Sequence, residues 1–418
     1  MLDINRIREK KEEVRKALLK RMAPDVLDAA LENVLKLDDQ RRELIQKSDE
    51  LKAERNKFSK TKPTPKIIEQ MKGVGEEVKK IDDELREVEE RFKEAMSELP
   101  NTPADDVMPG GKENNKVVKT FGKKTEFNFE PKDHVELATS LDIIDYERGV
   151  KMSGAGFWIY KGQGALLEWA LLNYFLELHQ KNKYTFILPP YLLTEKSAYT
   201  SGHLPKFRDD LFWTQDKSCL NATSEMMLGN YHRDEIIDEK LLPLKYCAYS
   251  ACFRREAGSY RKEERGMIRG HQFNKIEMFQ LTKPEDSPAA LTELIKNAEK
   301  LVEDLGLHFQ TVQLAAEDAT SAMAKTIDIE VWIPSMEVYK EVSSASNAFD
   351  YQARRGNIRF KDVKTGKNEF VHTLNASGLA TSRLFPAILE QFQNENGTVN
   401  VPKPLQKFCG FKIIKPLK

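Results

Sequence analysis

The chain has 418 residues, 40% of them hydrophobic and 32% charged, enough for two or three domains around a large core. Lys plus Arg and Asp plus Glu number 66 each; the zero net charge excludes general polycation behaviour and confines any nucleic-acid contact to local patches. No apolar run of about 18 residues is present, which excludes a helical membrane span.

The N-terminal stretch MLDINRIREKKEE is charged throughout and lacks the apolar centre of a secretory signal, so a cytoplasmic protein is expected. The four cysteines (Cys219, Cys247, Cys252, Cys409) form no CxxC pair, which fits reduced thiols and argues against zinc.

In chain order, a helix is predicted over residues 4–20. Leu37, Leu44, Leu51 and Phe58 then recur every seven residues, with Leu31, Val34 and Ile45 beside them. A second heptad series runs through Ile67, Met71, Val74, Val78, Ile81, Leu85, Val88, Phe92, Ala95 and Leu99. The two prolines of SKTKPTPK, residues 59–66, forbid one continuous helix. The prediction is an antiparallel coiled-coil hairpin with its tip at about 59–66, and 35 residues at 1.5 Å rise make an arm of roughly 50 Å. Basic residues, among them Arg41, Arg55, Lys57, Lys60, Lys62 and Lys66, gather in its distal half. Such an arm suits an oligomerisation or spacer element; a basic tip also suits phosphates reached at a distance.

PNTPADDVMPGGKENNK is rich in Pro, Gly and Asn. The division read here is an arm over 1–105, a linker over 106–120 and a second domain over 121–418. In that domain helices are predicted at 132–144, 162–182, 286–306 and 379–394. Strands are predicted near 184–188, 211–213, 246–256, 267–281, 327–333 and 337–344. Strand runs with inserted helices predict an α+β fold on an antiparallel sheet. No GxGxxG or GxxxxGK[ST] occurs, so neither dinucleotide nor P-loop chemistry is indicated.

The strand read at 267–281 places Arg269, Phe273, Lys275 and Glu277 on one face, and its neighbour carries Arg254 and Glu256. Paired as a hairpin, these residues make either a self-neutralising charged face or a pocket for an anionic, planar ligand.

The blocks FRREAGS and GMIRGHQFNKIE together resemble motif 2 of class II aminoacyl-tRNA synthetases of the seryl-tRNA synthetase family. NATSEMMLGNYH resembles that family's serine loop, MEVYKEVSSASNAFDYQARR its metal and ATP block, and HTLNASGLATSRLFPAILEQFQNENGTVNVPKPLQ its motif 3 and C-terminal segment. ILPPYLL resembles motif 1, and the N-terminal hairpin resembles the tRNA-binding arm.

The resemblance implies a class II antiparallel sheet with flanking helices and a homodimer. It also implies ATP-dependent ligation of L-serine to serine tRNA through a seryl-adenylate, extending to selenocysteine tRNA where one is present. Catalytic residues would be Arg254, Glu256 and Arg383. ATP would be held by these with Arg255, Arg269, Phe273, Glu341, Val342, Ser343 and Ser344, and magnesium by Glu341 and Ser344. Serine would meet Thr223, Ser224, Glu225, Arg254, Glu277, Asn375 and Ser377. The tRNA would meet the six basic residues named above for the arm. Departures from the family pattern include Ser224, Ala345, Ala376 and Gly156. The alternative is a non-catalytic paralogue that binds tRNA or ATP.

Overall fold

Helix α1 (Ile4–Glu9) and helix α2 (Lys11–Leu18) stand where one helix was expected, because Lys10 leaves the helical region (φ −131, ψ 41). That turn lets Ile7 on one segment and Val14 and Leu18 on the other all be buried. The computed structural model describes residues 1–58, 64–257 and 266–416. It divides into two units, Met1–Thr102 and Pro103–Lys418.

In the first unit α3 (Pro24–Phe58) and α4 (Pro65–Glu98) form the hairpin. The heptad positions meet as read: Leu37, Leu44 and Val88 are buried, with Ile81, Leu85, Phe92 and Ala95 packed on them. Thr64 caps α4 by accepting from Ile67 N at 3.3 Å, and Pro65 occupies the first helical position, where its missing N–H costs nothing. Polar contacts across the seam pin the register: Ser48 Oγ donates to Asp82 Oδ1 at 2.7 Å, and Lys52 Nζ lies 3.0 Å from it.

The second unit is built on an eight-stranded sheet. Its strands are β1 (Lys116–Phe121), β2 (Thr185–Ile187), β3 (Leu244–Phe253), β4 (Gln272–Thr282), β5 (Phe309–Gln313), β6 (Lys325–Ile333), β7 (Val338–Asn347) and β8 (His372–Ala380). The spatial order is β1-β5-β6-β7-β8-β4-β3-β2, antiparallel throughout except for the β2–β3 pair.

Period-two alternation divides the central strands into two faces. Ile276 and Met278, Ile329 and Val331, Val342 and Ala345, and Leu374 and Ala376 join the main core. There they meet Phe175 of α5 (Gln163–Lys181), Leu294 and Leu301 of α6 (Ser287–Leu305), and Phe385 and Ile388 of α7 (Thr381–Gln391). Lys275 and Glu277, Asp328 and Glu330, Ser344 and Ser346, and Asn375 and Ser377 fall on the opposite face. The same alternation that builds the core therefore builds a polar floor.

Four expectations need correction. The segment read as a linker, 106–120, lies within the second unit and contributes β1, which pairs with β5 as an edge strand. The strands read at 246–256 and 267–281 run 244–253 and 272–282. Arg254, Glu256 and Arg269 thus sit beyond the ladder, and Glu256 has φ +53, outside any strand conformation. Residues 211–213 form only a bridge, Trp213 to Cys219. β5 and β8 were not foreseen: HTLNASGLA is rich in small and polar residues of low strand propensity, and pairing with β7 and β4 on both sides overrides that preference.

Candidate active site

Over the polar face lies a cavity of about 560 Å³, floored by β4, β6, β7 and β8 and walled by the loop 201–225 and the start of α7. It is bordered by Arg254, Glu256, Arg269, Glu341, Ser344, Arg383, Thr223, Glu225, Asn375 and Ser377. Residues separated by up to 160 positions, Thr223 to Arg383 among those named, are gathered because four strands, the loop 201–225 and the start of α7 meet there.

One end is cationic. The Arg254 guanidinium lies over the Phe273 ring, 5.1 Å from its centroid, and Nε donates to Ala222 O at 3.3 Å. Arg269 pairs with Glu256, so the two residues meet although neither belongs to the ladder. Arg383 enters from the first turn of α7; its Nη1 donates to Glu341 O at 2.9 Å and lies 3.3 Å from Glu341 Oε2.

The other end is a closed polar nest. Glu277, expected to meet serine, has no exposed surface and does not itself border the cavity; it lies behind the lining, pairs with Lys275 and accepts from Thr223 Oγ1 at 3.3 Å and Asn375 Nδ2 at 3.1 Å. Lys275 Nζ also donates to Thr223 Oγ1 at 2.6 Å. Glu225 accepts from Gln352 Nε2 at 2.6 Å and Asn375 Nδ2 at 3.3 Å. Burial, with the Glu277 charge next, pushes the Glu225 carboxyl up to about 7. Burial, and then the charges of Arg254 and Lys275, hold His203 down at about 3, so its imidazole is neutral, with Nδ1 2.9 Å from Ser201 Oγ.

A third wall carries Asp318, Asp328, Glu330 and Glu341. Burial, and then the Glu341 carboxylate, raise the Asp328 carboxyl well above the usual range. Beneath the site, Glu168 of α5 accepts from Asn274 Nδ2 at 2.8 Å and Thr381 Oγ1 at 2.5 Å. It thereby ties the strand bearing Phe273 and Lys275 to the helix bearing Arg383. Burial raises this carboxyl to about 7.

Some residues expected to line the site stand elsewhere. Val342 faces the apolar core, and Ser343, fully buried on the same bulged stretch of β7, donates its hydroxyl to Ser377 O at 2.6 Å. Ser224 is fully buried, its hydroxyl 2.7 Å from that of Ser250. Arg255 is exposed and outside the cavity. On the arm, Arg41 is engaged within the hairpin, 2.9 Å from the buried Asp38 and 5.0 Å from the Phe92 ring centroid. Arg55, Lys57 and Lys66 are exposed; Lys60, Lys62 and most of the charged loop 257–266 lie outside the described residues. Sequence reasoning passed over Gln352, His203, Asp328 and Glu330 and gave Lys275 no role, although its alternation with Phe273 and Glu277 marked it.

Comparison with known proteins agrees with this geometry. Residues 207–392 match the tRNA synthetase class II core domain (G, H, P, S and T), and residues 1–103 match the seryl-tRNA synthetase N-terminal domain. The chain is 54% identical to serine-tRNA ligase 2 of Clostridium acetobutylicum, covering 98% of this chain and 99% of the relative. It is 46% identical to the serine-tRNA ligase of Petrotoga mobilis, covering 99% and 100%. Among solved structures, seryl-tRNA synthetase from Pyrococcus horikoshii complexed with ATP superposes with a TM-score of 0.92 at 33% identity over 100% of both chains. The cytoplasmic serine-tRNA ligase of Naegleria fowleri in complex with AMP gives 0.87 at 29% over 100% and 99%. A helical arm with the family's N-terminal signature and a class II core, both matched along their length, place this chain in the seryl-tRNA synthetase family of ligases.

Proposed function

We propose that the cavity activates L-serine with ATP and that the seryl group is then transferred to serine tRNA. The observation that carries this reading is the adjacency of two compartments: a closed nest in which Thr223, Glu225 and Asn375 border the cavity with Glu277 buried behind them, and three guanidiniums, Arg254, Arg269 and Arg383. The nest matches a small ligand with hydroxyl and ammonium groups; the guanidiniums match phosphates.

In the first step the serine carboxylate oxygen attacks the α-phosphorus of ATP. The bond from that phosphorus to the bridging oxygen breaks, and pyrophosphate leaves. Arg254 neutralises the α-phosphate between the two compartments, while Arg383 reaches the γ-phosphate and Arg269 supports the chain of phosphates. Adenine stacks on Phe273 and donates its amino group to Glu256, so nucleotide entry exchanges the Arg254–Phe273 and Glu256–Arg269 contacts for ligand contacts. In the second step a ribose hydroxyl of the terminal adenosine attacks the seryl carbonyl carbon, and AMP leaves.

Glu341 and Ser344 supply hard oxygen ligands on the phosphate side, and the unpartnered buried oxygen of Asp328 beside them fits a cation-accepting wall. Magnesium bound there would offset phosphate charge. The exposed Arg55, Lys57 and Lys66 of the arm would hold tRNA phosphates. The protein is proposed to act as a homodimer in the cytoplasm; no helix among the described residues is long and apolar enough to cross a membrane.

The test is ATP–pyrophosphate exchange with each amino acid, with and without tRNA. Exchange with serine alone, independent of tRNA, is the expected result; no exchange with any amino acid overturns the reading.

A further inference from the structure

The loop that walls the cavity presents an imidazole without a role so far. His203 borders the cavity together with Thr223, Glu225 and Arg254. Its backbone is pinned on both sides: His203 N donates to Ala198 O at 3.0 Å, and Phe207 N donates to His203 O at 2.8 Å. Gly202 before it has φ +86, and a Cβ there would meet Ala322 Cβ at 2.7 Å, so this approach requires glycine. Gln352 Nε2 donates to Ser201 O at 2.9 Å and to Glu225 Oε1 at 2.6 Å. One amide thus holds the His203 loop against the Glu225 end of the polar nest.

Ser201 fixes the tautomer. Its hydroxyl turns its proton toward Ala198 O at 3.1 Å and Ser197 O at 3.3 Å, so Ser201 Oγ accepts from His203 Nδ1 at 2.9 Å. In the neutral ring Nε2 then keeps its lone pair and is an acceptor. It has no hydrogen-bond partner among the described residues.

The nest lacks acceptors of this kind. An ammonium group brings three N–H donors. Thr223 Oγ1 is saturated: it donates to Glu277 Oε2 at 3.3 Å and accepts from Lys275 Nζ at 2.6 Å and Glu225 N at 3.2 Å. Asn375 turns its amide nitrogen, a donor, to Glu225 and Glu277. A carboxylate in place of His203 would compete for Arg254 and Lys275, whose charges act on the ring; a neutral imidazole accepts without drawing them from phosphate or from Glu277.

We propose that His203 is a further serine-selecting residue, its Nε2 accepting a hydrogen bond from the ammonium group of the substrate together with Glu225. The proposal rests on the serine-site reading above.

The test compares full-length wild type with His203→Phe, His203→Asn and His203→Gln. Phenylalanine keeps the ring beside Phe207 and removes both nitrogens. Asparagine keeps a donor for Ser201 and loses the cavity acceptor. Glutamine places an amide oxygen where Nε2 stood. Calorimetry measures binding of three stable adenylate analogues: seryl-sulfamoyl adenosine, alanyl-sulfamoyl adenosine, which lacks the hydroxyl, and the hydroxypropanoyl analogue, which lacks the ammonium. The Phe and Asn variants are expected to weaken the seryl and alanyl analogues alike, by roughly 10- to 100-fold, and to leave the hydroxypropanoyl analogue and the KM for ATP unchanged. The Gln variant is expected to bind all three much as wild type does. Wild-type affinity for the seryl analogue in both Phe and Asn variants overturns the proposal and leaves the serine-site reading standing. Equal weakening of all three analogues marks a structural role and overturns it too. Loss for the seryl analogue alone assigns Nε2 to the hydroxyl and overturns the ammonium contact. Failure of wild type to bind any analogue overturns the serine-site reading and this proposal with it.

Discussion

Replacing Glu277 by glutamine keeps the volume and the acceptor oxygen but removes the charge. Two consequences follow from the geometry and can be measured separately. The ion pair with Lys275 is lost, and Lys275 is itself only 5% exposed, so a cation is left buried with Thr223 as its remaining partner. Breaking a buried pair from one side costs about 3–5 kcal/mol of stability. The charge proposed to bind serine with Thr223 and Asn375 is also lost; a hydrogen bond to a charged group contributes about 1.5–3 kcal/mol. At about 1.4 kcal/mol per tenfold, kcat/KM for serine should fall roughly 10- to 150-fold. The assay is pyrophosphate exchange with serine varied at saturating ATP, alongside the KM for ATP and the melting temperature. ATP affinity should hold, because Glu277 lies outside the cationic end. Adding Lys275→Met is expected to recover stability and not serine turnover. Glu277→Ala, which removes the acceptor as well, is expected to abolish serine-dependent exchange while ATP still binds. A folded Gln variant with wild-type kcat/KM for serine would refute the assignment.

Phe273→Ala should raise the KM for ATP about 5- to 150-fold, the equivalent of roughly 1–3 kcal/mol of base stacking, with little change in the KM for serine; equal losses for both substrates would show a folding defect instead. Glu168 has its carboxyl raised from 4.5 to about 7, so its contribution to stability is full below about pH 4.5 and is lost as pH rises through about 7. Glu168→Gln keeps the acceptor for Asn274 and Thr381, and melting temperature should therefore decline less steeply from pH 5 to 8 than in wild type; parallel profiles would exclude Glu168 as the source. Glu225, raised likewise, should account for part of the slope that remains. Reversing Arg55, Lys57 and Lys66 to glutamate should leave serine-dependent exchange intact and raise the KM for tRNA, with the salt dependence of tRNA binding reduced by about one unit of slope per lost contact. Unchanged tRNA binding would make the arm a spacer.

The arm was legible because its information is local: Leu37, Leu44 and Val88 state a seven-residue period, and Pro65 states where the return helix starts. The residues Arg254, Glu256 and Arg383 that border the cavity were legible as blocks, since FRREAGS and GLATSR each keep them within a few positions. Strand ends were less legible. Arg254, Glu256 and Arg269 continue an alternation in letters that the backbone has already abandoned, and period two cannot mark where ladder hydrogen bonds stop. β8 was hidden because Asn375 and Ser377 are chosen for the cavity, not for strand propensity.

The sequence by itself determined the heptad hairpin, the α+β character of the second unit and the chemical types brought to the site, because each depends on periodicity or on short contiguous blocks. Tertiary structure alone decided which of those residues face the cavity: that Val342, Ser343 and Ser224 turn into the protein, that Lys275 pairs with Glu277, and that Asp328 stands opposite Ser344 in strand register. Those outcomes depend on register between strands far apart in the chain, where a shift of one residue moves a side chain from cavity to core.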